Sequence, residues 1–292
     1  MAPNGGRSSL TAPPPGEGRR PKAFPVRDLA IRAGKVVHLT AWDPSATPGF
    51  RGDKDDGLAE IDRLKKRLEP LQELLHADPQ RGLLVVLQGM DTAGKDGTIR
   101  RVFEGVNPQG VRVAQFGVPT PEEHAHDFLW RAHQKTPRRG EIVIFNRSHY
   151  EDVLVARVHE LVPKPVWEKR YEEIDEFERG LTVEGTTILK FYLHIDADEQ
   201  RRRLTERLND PTKQWKLSLS DIEERKLWPK YMAAYEEMLE RTSTAWAPWY
   251  LVPSNHRWYR DLVVIHVVVA VLESMGLKYP KLAKELRSAK IR

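Results

Sequence analysis

Cysteine is absent from the 292 residues, so the chain makes no disulfide, holds no zinc through thiolates and uses no cysteine nucleophile. That fits a reducing compartment, and a cytoplasmic location is the expectation. Long apolar runs are also missing. None reaches the roughly 18–20 residues of a membrane span, and the longest candidate, Leu262 to Leu272, suits a buried helix or a subunit interface. The first 22 residues carry Pro, Gly and Arg but no apolar core of a secretory signal, so they read as a disordered tail. Metal-ligand spacing is lacking among the histidines. His124 and His126 would diverge on a helix, and His133, His149, His159, His194 and His256 form no recognisable set, which argues against zinc. No internal repeat is present.

What is there is basic and globular. With 47 Lys and Arg against 42 Asp and Glu, the net charge is +5 and the pI about 9.3. Nucleic acid, an anionic membrane surface and a phosphate polymer all suit that balance. At 40% hydrophobic and 30% charged residues, the length suffices for one large domain with a substantial core. We expect residues 1–57 to be a Pro/Gly-rich basic tail followed by an irregular surface segment. Residues 58–292 would form the folded domain.

That domain opens with a helical stripe of Leu58, Ile61, Leu64, Leu68, Leu71 and Leu75, which Pro70 should kink or divide. Packing on the core explains the stripe better than a membrane surface or a coiled coil. Strand patterns follow at Leu83–Leu87, Val111–Phe116, Glu141–Phe145, Thr187–Ile195 and Trp249–Pro253. Helical patterns fill the gaps at Gly94–Gly105, Pro121–His133, Glu151–Leu161, Pro165–Gly180, Ala197–Leu208, Ser220–Arg241 and Tyr259–Met275. Near-continuous apolar strands alternating with helices predict an α/β fold with a central, mostly parallel sheet covered on both faces.

The segment Leu83 to Thr98 is the most informative. An apolar strand runs into Gly89-Met90-Asp91-Thr92-Ala93-Gly94-Lys95-Asp96-Gly97, and a helix follows. Glycines let backbone N–H groups close around an oxyanion, the helix N-terminus adds positive potential, and a lysine reaches the outer phosphates. Asp96 stands where a Ser or Thr usually follows the lysine, and Asp91 lies inside the loop, so any metal ion is held differently from a typical phosphate-loop site. A second cluster, Asn146-Arg147-Ser148-His149-Tyr150-Glu151-Asp152, sits at the end of the third strand pattern. There Asn146 can orient metal-bound water and Arg147 can clamp a phosphate through its planar fork. Glu151 and Asp152 can face metal or substrate, or simply stabilise a helix start. A third cluster, Arg207 and Asp210-Pro211-Thr212-Lys213-Gln214-Trp215-Lys216-Leu217-Ser218 with Asp221, reads as a mobile basic lid over residues 207–228. The run Arg201-Arg202-Arg203 reads as a solvated helix face. Arg100 and Arg101, on the helix after the loop, offer at least one groove-lining charge.

These three clusters, in this order and spacing, resemble the polyphosphate kinase 2 family over roughly residues 58–281. The resemblance implies a three-layer phosphate-loop kinase fold with a helical lid, and magnesium-dependent (or manganese-supported) phosphoryl transfer between inorganic polyphosphate and a nucleotide. It implies Asp91, Lys95 and Arg147 as catalytic residues. Phosphate contacts would come from Gly89, Thr92, Ala93, Gly94, Lys95, Asp96, Gly97, Arg101, Arg147, Arg207, Lys213 and Lys216, and the metal would lie near Asp91, Asn146 and Glu151. Asn146 replaces an aspartate found in many members. The Asn-Arg-Ser-His-Tyr-Glu-Asp version is similar to the subgroup that phosphorylates both AMP and ADP, giving ADP and ATP, in a reaction that can run in reverse. The family also implies a homo-oligomer. Two other readings share some of these features. An ATP-dependent nucleoside or nucleotide kinase would have the same loop, lid and fold. A non-catalytic polyanion binder would draw on the basic pI and on Lys278, Lys281, Lys284 and Lys290, although nucleic-acid motifs are lacking.

Overall fold

The computed structural model describes residues 26–283. The expected tail up to residue 25 and the terminal lysines Lys284 and Lys290 lie outside the described residues. In chain order the elements are α1 (Lys54–His76), β1 (Gly82–Gln88), α2 (Lys95–Val102), β2 (Val111–Gln115), α3 (Pro121–His124), α4 (Trp130–His133), β3 (Ile142–Asn146), α5 (Glu151–Val158), α6 (Lys164–Val183), β4 (Thr186–His194), α7 (Ala197–Asn209), α8 (Leu219–Lys226), α9 (Trp228–Thr242), β5 (Trp249–Pro253) and α10 (Arg257–Ser274).

All five strands pair in parallel, in the order β2-β3-β1-β4-β5. β1 lies at the centre, with Val85 opposite Ile144 on one side and Leu189 on the other. Every β1 residue is buried, which is why the strand reads as an unbroken apolar run. The chain crosses from one side of β1 to the other between β3 and β4, so a crevice opens at the carboxyl ends of β1 and β3. Each strand pattern read from the sequence is a strand.

Three helical expectations need correction. Pro70 does not divide α1, which runs as one helix through it. Pro70 is exposed, and so is Lys66, whose carbonyl it leaves without a helical donor. Meanwhile Ile61, Leu64, Leu68 and Leu75 stay buried on the opposite face, and α1 packs on α10. The span 121–133 is two short helices rather than one. A capping box between Thr120 and Glu123 starts α3, and Asp127, accepting from the Leu129 N–H at 3.0 Å, opens a new turn between them. The span 220–241 breaks at Leu227, and Pro229 lies in the first turn of α9, where its missing N–H costs nothing.

The segment before α1 is irregular, yet it does more than cross the surface. Leu29, Ile31, Val37 and Leu39 are buried in the core. The Ile31 N–H donates to Trp249 O at 2.8 Å, so this segment covers the free edge of β5. α10 is buried almost all round within this chain. Inside β4, Lys190 is fully buried, and its ammonium donates to Glu178 Oε2 at 2.6 Å, Thr242 O at 2.7 Å and Tyr150 Oη at 2.9 Å.

Candidate active site

The loop between β1 and α2 is shaped by residues that tolerate positive φ. Gly89 has φ 151° and Gly94 φ 110°. A Cβ on Gly94 would lie 1.8 Å from Arg260 Nη1, and one on Gly89 would lie 2.7 Å from Leu193 O. Thr92 adopts φ 68° without being glycine, a strained conformation of the kind that surrounding contacts must hold. Those contacts are visible. Arg203 Nη1 donates to Thr92 O at 2.8 Å and Ala93 O at 3.1 Å, Arg260 Nη1 to Ala93 O at 3.2 Å, and Gln200 Nε2 to Asp91 O at 3.2 Å. Carbonyls tied back in this way leave the first-turn N–H groups of α2, which have no intrahelical acceptor, to face an anion. Lys95 folds over the loop, donating to Gly89 O at 2.6 Å and Met90 O at 3.3 Å. Burial pushes its ammonium pKa down, opposed chiefly by Asp91.

The end of β3 supplies the facing wall. Asn146 Nδ2 donates to Asp96 Oδ1 at 2.8 Å, so its carbonyl oxygen is the atom that can face a cation or its water. Arg147 also has a left-handed backbone, φ 62°, which turns its side chain back over the loop, where Nη2 donates to Asp91 Oδ1 at 3.0 Å. Burial pulls the Arg147 pKa down, but Glu151 and Asp91 outweigh it and hold the guanidinium charged. Glu151 starts α5 beside them. Burial raises its pKa, against the pull of Arg147 and Lys95.

The lid closes the third side. Arg207, Lys213, Trp215 and Lys216 face Lys95, Asp96, Asn146 and Arg147 across a cleft of about 980 Å³. Lys216 reaches Asp96 Oδ2 at 3.2 Å. Burial would raise the Asp96 carboxyl, yet Asn146 and Lys216 outweigh it and keep it below the ordinary carboxylate range. Trp215 remains 78% exposed, its indole N–H donating to Thr212 O at 3.0 Å.

Other singled-out residues go elsewhere. Asp152 turns away from the loop to pair with Arg131 at 3.0 Å and Arg170 at 3.4 Å, a structural role at the α5 start. Arg101 is held towards α1 by Asp62 at 3.0 Å and Glu104 at 3.6 Å, and Arg100 lines the cleft in its place. A helix turns by about 100° per residue, so two adjacent arginines cannot both face the groove. Arg203 is not solvated. It is 4% exposed and packs beneath the loop. The available signal was its place, with Gln200 and Leu204, on the buried face of an otherwise charged helix. Phe116 and Gly117, after β2, also line the cleft, and sequence reading passed over both.

The donors that can serve a metal are oxygens only: Asp91, Glu151, the Asn146 carbonyl and Asp96, whose carboxylate is already engaged by Asn146 and Lys216. Among the described residues no three or more His, Cys, Asp or Glu side chains gather as a metal cage. So sparse an oxygen set fits a hard cation that draws its remaining ligands from substrate phosphates and water, as magnesium does. Among the same residues, no helix is long and apolar enough to cross a membrane.

A parallel sheet with a glycine loop at its central strand, an arginine on the neighbouring strand end and a basic lid define a phosphate-loop kinase fold. Within that class, the chain belongs to the polyphosphate kinase 2 family, whose model matches residues 51–280. It is 58% identical over 243 residues to the AMP/ADP-polyphosphate phosphotransferase of Meiothermus ruber, spanning 83% of this chain and 91% of that one. Identity to the ADP-polyphosphate phosphotransferase of Rhodopseudomonas palustris is 41% over 268 residues, 87% of this chain and 92% of the relative. The crystal structure of polyphosphate kinase 2 from Arthrobacter aurescens matches with a TM-score of 0.86 at 43% identity, covering 90% of this chain and 93% of that one.

Proposed function

We propose that this protein transfers a phosphoryl group from inorganic polyphosphate to AMP and to ADP, giving ADP and ATP. The observation that carries the reading is the convergence of Asp91, Lys95 and Arg147 with the lid lysines on one cleft, in a chain closely similar to a phosphotransferase named for both acceptors. The acceptor is a terminal phosphate oxygen, anionic at neutral pH, so no general base is needed. Catalysis then rests on alignment and charge neutralisation. Lys95 and the α2 N–H groups hold the phosphates next to the transferred group, and Arg147 spans donor and acceptor. Lys213 and Lys216 draw the polyphosphate chain along the lid, and Trp215 helps keep water from intercepting the phosphoryl group. Asp91, Glu151 and Asn146 would hold magnesium, which would supply electrostatic relief of the charge on the phosphates.

Incubation of the purified protein with magnesium, polyphosphate and either AMP or ADP, without ATP, followed by nucleotide chromatography, tests this. ADP from AMP and ATP from ADP are the expected products. No product from either acceptor, beside an active ATP-fed control, assigns the chain instead to the ATP-dependent kinases.

The lid makes its own prediction. Lys213→Ala combined with Lys216→Ala is expected to raise the KM for polyphosphate about tenfold or more, since each lysine contributes on the order of 1 kcal/mol to a multiply charged ligand. Unchanged kinetics in a polyphosphate titration would remove the lid from the donor track.

A further inference from the structure

The phosphate loop is held from below by α7, and α7 is also where the lid is anchored. Gln200 is 1% exposed, and both ends of its amide are engaged. Nε2 donates to Asp91 O at 3.2 Å, while Oε1 accepts from Arg225 Nη1 at 3.1 Å. Arg225 belongs to α8, the helix that follows the Trp215 turn, and the same Nη1 donates to Ala197 O at 2.6 Å at the start of α7. Two consecutive hydrogen bonds therefore join the lid helix to the loop peptide at Asp91. That peptide precedes the left-handed Thr92, so its orientation governs both the aim of the Asp91 carboxylate and the path of the next residues. Three residues on, on the same face of α7, Arg203 pins Thr92 O and Ala93 O, and its Nη2 also donates to Ser254 O at 2.6 Å and Asn255 O at 3.1 Å. Arg203 ties the loop to the rigid end of the sheet. Gln200 ties it to an element that lies over the cleft.

We propose that Gln200 is a positioning residue coupling the lid to the phosphate loop, holding the Asp91 peptide in its working orientation only while Arg225 is seated against it. A glutamine suits this role because one rigid plane offers a donor at one end and an acceptor at the other. The lid then does more than exclude water. Its seating organises the carboxylate that faces Arg147, so a chain with the lid displaced binds phosphate in a disordered loop and turns over slowly. This inference rests on the phosphoryl-transfer reading above.

The test uses the full-length protein and four variants, Gln200→Glu, Gln200→Leu, Arg225→Met and the Gln200→Leu/Arg225→Met pair, each with kcat, KM for polyphosphate and thermal midpoint. Gln200→Glu keeps an acceptor for Arg225 but cannot donate to the Asp91 carbonyl. It is expected to lose kcat about tenfold, the equivalent of one buried hydrogen bond, while its thermal midpoint stays well above the assay temperature. The double variant is expected to fall no further than Gln200→Leu alone, because Arg225 acts through the glutamine. Wild-type kcat in Gln200→Glu, or losses that multiply in the double variant, would overturn the coupling. Should the Gln200 variants fail to fold, Arg225→Met carries the test alone. A loss of kcat with the midpoint still well above the assay temperature supports the coupling, and full activity overturns it. If the wild-type protein transfers no phosphoryl group, the functional reading falls separately. Calorimetric binding of tripolyphosphate then decides the coupling, weakened about tenfold in Gln200→Glu if it holds and unchanged if it does not.

Discussion

Asp91→Asn is expected to lower phosphoryl transfer by about two to three orders of magnitude while leaving the fold intact, the size of effect seen when one aimed electrostatic group is lost from a preorganised site. Asparagine preserves the shape of the side chain and can still accept the Arg147 hydrogen bond, which measures 3.0 Å in the native protein. Only the negative charge is lost. That charge sits between two cations, Lys95 and Arg147, and without it the acidic groups left beside them are Glu151 and Asp96, the latter already engaged by Asn146 and Lys216. Turnover measured across a magnesium titration checks this. The expected variant needs more magnesium for half-maximal rate and stays slow at saturation, whereas near-normal turnover at saturating magnesium would remove Asp91 from the metal site. Circular dichroism identical to the wild type shows that the loss is chemical.

The largest effect on stability is expected inside the sheet. Lys190 and Glu178 are both fully buried, 2.6 Å apart, with Tyr150 Oη donating to the other carboxylate oxygen at 2.7 Å and His149 Nε2 3.2 Å from it. Burial alone would raise the Glu178 carboxyl, but Lys190 and His149 overcome it and hold it below the ordinary carboxylate range. Lys190→Met leaves that carboxylate in an apolar interior without its cation and is expected to cost about 3–5 kcal/mol. Removing both charges with Lys190→Met and Glu178→Leu should restore much of the loss, because a well-packed apolar pair no longer carries a desolvation penalty. Urea unfolding of the two variants separates these cases. A double variant as unstable as the single one would mean that the network matters through Tyr150 and Thr242 instead of through charge. The network also lies directly under the turn that starts with the left-handed Arg147, so its loss should loosen the placement of that guanidinium.

Much of this protein was legible before folding was considered. Strands β1, β3 and β4 announced themselves because both faces of the sheet are covered there and they are buried almost along their length. The loop from Gly89 to Gly97 was legible because a phosphate cradle is built within one strand-loop-helix unit, so local spacing carries its geometry. The helix errors were also local in origin. Proline is read as a breaker, but its effect depends on whether the residue whose carbonyl it abandons is exposed, as Lys66 is, and only the packed helix shows that.

By itself, the sequence determined the absence of thiol chemistry, the alternation of strands and helices, the phosphate loop and the three ordered clusters that mark the family. Tertiary structure decided which charges serve the site. Arg100 and Arg101 differ by one residue and face different ways. Arg203 lies 111 residues from the Thr92 carbonyl it holds, and Lys216 lies 120 residues from Asp96. Gln200 was not legible as a site residue, because sharing the α7 face with Arg203 and Leu204 marks burial and not partners. Its meaning comes from two partners, one in the phosphate loop and one in the lid. Contacts between such distant segments are set by how the helices pack on the sheet, and no local pattern of residue types encodes them.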